Sequence, residues 1–159
     1  MRRRQNGLTS VEFAIVAFVV LLTIFGVVDI SRIYYTVSML DEVTRRGARV
    51  AAVCPVNDPA IPGIAIFSPG GGTSPLVNGL DTSDIVVEYL DDTGAPVSNP
   101  ATTGFTSIEF VRVRINPSFQ IQTLIPLIPQ IIIPTPPMTT TMPRESLGIP
   151  RDGVAAQPC

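Results

Sequence analysis

The carboxylate of Glu12 lies within an otherwise uncharged apolar run near the start of the chain. As a helix, the run from Leu8 to Val28 would span roughly 30 Å at about 1.5 Å per residue, which matches the hydrocarbon core of a membrane. A charged side chain inside such a segment costs about 2.5–3.5 kcal/mol on insertion scales, so an acid there usually has a partner and a role. The chemistry indicated at Glu12 is therefore charge pairing.

A cationic partner for Glu12 would arise if a peptidase cut the chain after Gly7. The short segment before the cut contains the basic run Arg2–Arg4. Leu8 would become the first residue and Glu12 the fifth. The new α-ammonium group would then lie one helical turn from the carboxylate, within the same chain or across to a neighbouring chain. Either pairing would neutralise the glutamate inside a membrane or inside a helix-packed filament.

Two other interpretations of this segment compete with cleavage after Gly7. A secretory signal peptide should be followed by a cleavage site of small residues. Here the sequence Asp29–Tyr34 instead continues the helical pattern of the apolar run. A plain signal anchor remains an alternative. In that case Glu12 would lie near the end of the membrane anchor, and its side chain would extend toward the lipid headgroups.

The basic start, the glycine, and the apolar helix with Glu12 at its fifth position resemble a class III or type IV prepilin. More narrowly, Gly7–Ala14 followed by Phe25–Asp29 resembles the start of the TadE-like family, which comprises pilin-like proteins of the tight-adherence (Flp) pilus apparatus. Arg45–Arg49 and Met142–Glu145 also fit the pattern of that family.

The resemblance implies a minor pilin or pseudopilin that a prepilin peptidase processes between Gly7 and Leu8. It implies a single pass through the bacterial cytoplasmic membrane, with a cytoplasmic N-terminus and an extracytoplasmic C-terminal domain. The implied partners are other pilin or pilus-assembly subunits, and Glu12 would pair with a neighbour's N-terminus or direct docking. The alternative is a signal-anchored extracytoplasmic binding module unrelated to pili.

The composition argues against several classes of function. The chain has 159 residues, no histidine and two cysteines, so it lacks the commonest general base and cannot form a four-thiolate zinc site. The net charge of −2 gives no overall attraction to nucleic acid. We therefore expect no enzyme activity, cofactor, metal or small-molecule substrate. Four acids, Asp81, Asp84, Asp91 and Asp92, do not form a calcium-loop pattern and are expected to cap turns or helices.

The charge is divided unevenly along the chain. Residues 1–50 carry 7 arginines against 4 acids, and residues 51–159 carry 4 arginines against 9 acids. We interpret residues 1–7 as a basic leader, 8–53 as one long helix and 54–159 as an exported head.

The long helix is expected to have two parts, a membrane part over 8–28 and an amphipathic stem over 29–53. In the stem, Asp41 and Glu42 precede Arg45 and Arg46 by four residues each. This is the favourable order for exposed ion pairs on a helix, so we expect a salt-bridged, solvated face.

The two cysteines, Cys54 and Cys159, lie at the two ends of the head sequence. In an exported protein such a pair indicates a disulfide. Two free thiols, or reactive pairing by a mobile C-terminal tail, remain alternatives.

The head sequence predicts a small antiparallel sheet, which makes the fold class α+β. Strands are predicted at Ile85–Leu90, Phe105–Ile115 and Thr139–Met142, with a further short strand at Ile64–Phe67. Residues 119–137 are apolar but broken by prolines, which argues against a second membrane span. This segment is expected either to pack against the head or to contact a partner subunit.

Overall fold

The computed structural model describes residues 8–122, 132–134, 136–149 and 159. Helix α1 runs from Leu8 to Val53, 46 residues, and it ends at the residue where the sequence predicts its end. The sequence of α1 contains no proline, and Pro55 follows soon after its end. The predicted leader, residues 1–7, lies outside the described residues.

Within the described residues, the later part of α1 packs against the rest of the protein. Its buried side chains recur at steps of three or four, which places them on one face of the helix. The buried residues of this face are Leu40, Val43, Thr44, Gly47, Ala48, Ala51 and Ala52. The small residues among them allow the backbone of the sheet to approach the helix closely.

Helix α2, Ala60–Ala65, lies where the sequence had predicted a short strand at Ile64–Phe67, so that prediction is wrong. Pro59 precedes the helix with a φ of −65°, an angle that suits the first turn of a helix. Phe67 has a φ of +64°, which no strand residue adopts. An apolar run this short does not show a periodicity that distinguishes a helix from a strand. Here Pro59 favours the helix.

The main sheet contains three antiparallel strands in the order β1–β2–β5. Strand β1 is Ile85–Leu90, β2 is Phe110–Ile115 and β5 is Thr139–Pro143. In the register, Val113 of β2 lies opposite Val87 of β1 and Thr140 of β5. The predicted α+β class is confirmed, as is the antiparallel pairing of the first two strands.

Strand β2 begins later than predicted, because residues Phe105–Ser107 form a 3₁₀ turn. The Ser107 N–H donates to the carbonyl of Gly104, and the Phe105 N–H donates to the carbonyl of Thr102. These local bonds use donors that a sheet ladder would need. The ladder resumes at Glu109, whose N–H donates to Leu90.

A second, two-stranded sheet pairs β3, Gln120–Gln122, with β4, Ile132–Pro134. Both strands fall within the apolar segment 119–137. Its first part packs into the head, since Phe119 and Ile121 are buried there. The central residues, 123–131, lie outside the described residues, so the expected contact with a partner subunit stays a prediction.

The core lies between α1 and the main sheet, and Gly47 marks the closest approach. A Cβ atom at Gly47 would lie 3.1 Å from both the Ala65 Cβ and a Val113 methyl carbon. Val111 and Val113 are fully buried on the same side of β2. A side chain at this position would therefore crowd the contact between α1, α2 and β2.

Replacing Gly47 with leucine is expected to destabilise the head by about 1–3 kcal/mol, because the added side chain overpacks a filled core. Thermal or denaturant unfolding of the full chain in detergent would measure this change. Gly26→Leu is the matched control on the same helix, since nothing lies within 4 Å of its Cβ position. An equal loss of stability in the two variants would contradict the packing role of Gly47.

Candidate functional site

The first half of α1 presents an extended apolar surface that the rest of the described chain leaves uncovered. Within the described residues, α1 is the one helix long and apolar enough to cross a membrane. Over residues 8–28, the large apolar side chains that are at least half exposed are Val11, Phe13, Ile15, Val16, Val19, Val20, Leu21, Ile24, Val27 and Val28. Such a surface needs a lipid bilayer or other helices to cover it.

Glu12 lies on this apolar surface and is exposed. Leu8, the first residue of α1, stands one helical turn before Glu12 on the same helix. Gly7, the residue on the other side of the predicted cut, lies outside the described residues. The structure therefore places Glu12 one helical turn after position 8 on the uncovered surface, and its pairing with an amino group stays a prediction.

Of the two ion pairs predicted in the stem, one is present and the other is replaced by a different contact. Arg45 contacts Asp41, four residues earlier, through its guanidinium group. Glu42 approaches Arg45 at 3.8 Å. The predicted pair between Glu42 and Arg46 is replaced, because the Arg46 guanidinium carbon lies 4.4 Å from the ring centroid of Phe67.

The physical reason for this correction is the position of Arg46 on the helix. Arg46 faces α2 and the turn after it, where Phe67 offers an aromatic face. A cation over an aromatic ring at this distance gains about 0.5–1 kcal/mol even at an exposed site. The Nε atom of Arg46 is buried and has no hydrogen-bond partner among the described residues.

The C-terminal segment caps the end of α1, a role that the sequence pattern did not reveal. The N–H groups of Glu145 and Leu147 both donate to the carbonyl of Ala52, at 3.1 and 3.2 Å. The Gly148 N–H donates to the carbonyl of Val53 at 2.7 Å. The last carbonyls of a helix have no partner within the helix, so these bonds satisfy groups that would otherwise need water.

The two cysteines lie near this cap, at disulfide distance from each other. Their Cα atoms are 5.8 Å apart across a sequence separation of 105 residues. Cys54 is buried at the end of α1. The N–H of Cys159 also donates to the carboxylate of Asp58 at 3.1 Å.

Three of the four acids that the sequence predicts as caps, Asp81, Asp84 and Asp91, have that role in the structure. Asp81 caps the 3₁₀ turn Thr82–Asp84, and Asp91 accepts hydrogen bonds in the turn that follows β1. Hydrogen bonds from the Ser83 hydroxyl and N–H lower the pKa of Asp81 below its ordinary value. The Thr93 hydroxyl, followed by the Ala95 N–H, does the same to the pKa of Asp91.

The outer face of the main sheet carries an ion cluster that sequence reasoning missed. Glu88 lies 2.9 Å from Arg114 and 3.5 Å from Arg112. The alternation of the two arginines along β2 was visible in the sequence, but their acid comes from β1. Its position opposite them depends on a register that only the paired strands define.

The fit of the C-terminal cap can be tested at Gly148, which has a φ of +80°. A Cβ atom there would lie 2.7 Å from the Cα of Pro55, so Gly148→Ala forces backbone apart at the end of α1. We expect Gly148→Ala to lower the free energy of unfolding by at least about 2 kcal/mol. This is more than the roughly 1 kcal/mol that a positive φ alone costs. Denaturant unfolding and amide exchange at Glu145 and Leu147 would report the loss of stability and of protection.

Gly94→Ala provides the matched control for this prediction. Gly94 has nearly the same φ, +81°, but nothing lies within 4 Å of its Cβ position. It should show the cost of the positive φ without release of the C-terminal segment. Equal effects of the two substitutions would contradict the capping role.

Comparison with known proteins gives a family match for the first part of the chain. No curated protein and no solved structure matches the chain. A family model described as TadE-like protein matches residues 7–49, which contain Glu12, the whole exposed surface and the stem ion pairs. The predicted resemblance is thus confirmed over this segment: residues 7–49 match the TadE-like family.

Proposed function

We propose that this protein is a pilin-like structural subunit, a minor pilin or pseudopilin, of a Tad/Flp-type pilus. The observation that carries the proposal is that the TadE-like match covers the part of α1 whose apolar surface is exposed. A helix with this surface can exchange the lipid bilayer for the helices of an assembly. The association of the chain with a Tad-type pilus is what the family match supports most directly.

The proposed topology places the N-terminus in the cytoplasm and the head outside the cytoplasmic membrane. The basic run Arg2–Arg4 precedes the membrane part and favours the cytoplasmic side. Basic residues also follow the membrane part, at Arg32 and in the stem, so charge alone does not decide the orientation. The prepilin-like start supports the cytoplasmic N-terminus, because prepilin processing occurs on the cytoplasmic face.

We propose that a prepilin peptidase cuts between Gly7 and Leu8 and that Glu12 then pairs with an α-ammonium group. Leaving Glu12 unpaired in lipid costs about 2.5–3.5 kcal/mol. The new ammonium group of a neighbouring subunit would remove most of that cost. Pairing with a neighbour would thus make assembly more favourable than an isolated subunit in the membrane.

The head of the proposed subunit would be held closed by a disulfide between Cys54 and Cys159. Disulfides persist outside the cytoplasm, which agrees with the proposed topology. In the chain-entropy model a loop of about 100 residues gives about 4–5 kcal/mol of stabilisation. The same bond would hold the C-terminal cap against the end of α1.

A structural role also agrees with the side chains present. The family is structural, and the chain contains no histidine to serve as a general base. The competing proposal, a signal-anchored binding module unrelated to pili, requires an intact N-terminus and no role for Glu12. The two proposals therefore predict different results in two measurements.

The first measurement is mass spectrometry of the protein purified from bacterial membranes. We expect a mature chain that begins at Leu8, because the leader would be removed by the peptidase. Gly7→Val should leave the precursor uncut. A native protein with an intact N-terminus would contradict the processing step and favour the signal anchor.

The second measurement is pilus assembly in a strain that carries Glu12→Gln. We expect membrane insertion to be unchanged, or slightly improved, because a charge has been removed from the lipid-facing part. Assembly should fall at least about fivefold, equivalent to about 1 kcal/mol of lost pairing. Counts of surface pili and the membrane fraction of the protein would measure both effects.

Glu42→Gln is the matched control for the assembly experiment. It makes the same chemical change on the same helix, but in the stem, where Glu42 makes only a 3.8 Å contact with Arg45. Normal piliation is expected for this variant. Normal piliation of the Glu12 variant would instead remove the role proposed for that carboxylate.

A further inference from the structure

A polar cleft lies where the head meets the lower part of its stem. It has a volume of about 400 Å³, within the range of about 300–1,000 Å³ typical of small-ligand sites. α1 contributes Arg32 and Thr36 to one wall. The loop before β1 and the segment around β3 contribute the other walls, including Asn78, Asp81, Asp84 and Gln120. We refer to this feature as the junction cleft.

The junction cleft lies at the level expected for lipid headgroups. Arg32 is only about 6 Å along the helix from Val28, the last residue of the apolar run, at about 1.5 Å per residue. Tyr34 and Tyr35 follow, and they are 72% and 50% exposed. Tyrosine is enriched at membrane–water interfaces, where its ring and hydroxyl meet both environments. In the proposed topology, the cleft therefore lies at the level of the outer headgroup layer.

The charges that line the cleft are of both signs and come from different elements. Arg32 on α1 supplies the cation, and Asp81 and Asp84 of the loop before β1 supply two carboxylates. Each carboxylate uses one oxygen for the local cap: Asp81 Oδ1 accepts from Ser83 N–H at 2.7 Å, and Asp84 Oδ2 accepts from Asp81 N–H at 3.0 Å. The second oxygen of each is not used by the cap.

This arrangement fits a ligand that is itself zwitterionic. The hydrogen bonds from Ser83 lower the pKa of Asp81, so this carboxylate stays ionised at neutral pH. Arg32 can bind a phosphate through two N–H groups, as guanidinium groups commonly do. The carboxylates can accept hydrogen bonds from an ammonium group placed across the cleft.

We propose that the junction cleft binds the headgroup of a phospholipid that carries a phosphate and a primary ammonium, that is, a phosphoethanolamine headgroup. Arg32 binds the phosphate, and Asp81 and Asp84 accept hydrogen bonds from the ammonium. A primary ammonium has three N–H donors for these carboxylates, whereas a quaternary ammonium has none.

A choline headgroup fits the cleft less well for a second reason. Quaternary ammonium groups are recognised by cages of several aromatic side chains. Among the described residues that line the cleft, the aromatic one is Phe119. An anionic headgroup without an ammonium would satisfy Arg32 but would leave the two carboxylates facing a negative ligand.

The inference rests on the membrane placement in the proposed function, and it adds a specific lipid contact to it. The bound headgroup would fix the height of the head above the bilayer. Because the ligand is part of the membrane that surrounds the helix, it is present at high local concentration without a soluble source.

The test uses the full chain in nanodiscs that contain equal amounts of phosphatidylethanolamine, phosphatidylcholine and phosphatidylglycerol. Lipids that remain bound after release into the gas phase are identified by native mass spectrometry. We expect the wild-type chain to retain phosphatidylethanolamine at least fivefold over each of the other two lipids. Arg32→Gln should lower that preference at least fivefold.

Arg49→Gln is the matched control, since Arg49 is an exposed arginine higher on the same helix and outside the cleft. It should keep the preference for phosphatidylethanolamine. Thermal unfolding of each variant checks that the head remains folded, and Arg32→Lys should keep part of the preference because it keeps the cation. Equal retention of the three lipids by the wild type, or an unchanged preference in Arg32→Gln, would overturn the proposal.

A further arm separates the membrane lipid from a free ligand of the same chemistry. Soluble phosphoethanolamine at millimolar concentration should displace the retained lipid. If the soluble compound binds but the phospholipid does not, the membrane source is wrong. The N-terminal residue and the membrane fraction are measured in the same preparations, so a failure of lipid selection is distinguishable from a failure of the proposed pilin function.

Discussion

The structure depends on one continuous helix that must satisfy two different environments. From Phe13 to Val28 the side chains of α1 are uncharged and almost all apolar, on every face of the helix, which suits lipid or a bundle of helices. Beyond that point, one face packs on the sheet and the opposite face carries charges. Because no proline interrupts the helix, the position of the head is tied to the position of the membrane part. At Gly47 the helix lies close to both α2 and β2, which attaches the stem to the head over a short distance.

The second constraint is the closure of the head on the upper end of the same helix. The C-terminal segment satisfies the last carbonyls of α1, and Cys159 lies next to Cys54. Strand β5 immediately precedes this segment, so the cap also determines where the edge strand of the sheet ends. The head is thus attached to α1 along its face and again at its end. A displacement of the stem would be transmitted to the sheet through both attachments.

The sequence predicts the long elements well and the short ones poorly, for physical reasons. The periodicity of α1 extends over many turns, and β1, β2 and β5 show strand-forming residues next to turn residues. Helix α2 is too short for its period to be recognised, and the proline before it decides its conformation. Arg46 could not be assigned from spacing, because its aromatic partner Phe67 comes from a turn that packs against α1 only in the folded protein. In the candidate site, Glu12 is predictable because a charge in an apolar run is unusual, whereas the cap formed by Glu145–Gly148 leaves no pattern in the sequence.

Under the proposed topology, two ionisable residues set the depth of α1 in the bilayer. Glu12 lies near the cytoplasmic end of the membrane part and Arg32 just beyond its outer end, about 30 Å apart at about 1.5 Å per residue. An unpaired Glu12 favours a shift of the helix toward the cytoplasm, where the carboxylate reaches water. That shift would draw Arg32 and the exposed Tyr34 into the hydrocarbon, so the two ends oppose each other. Pairing of Glu12 with the amino group of a neighbour would remove the shift toward the cytoplasm, while the opposing effect of Arg32 and Tyr34 would remain. The subunit is then free to move outward, which is the direction that assembly of an external filament requires.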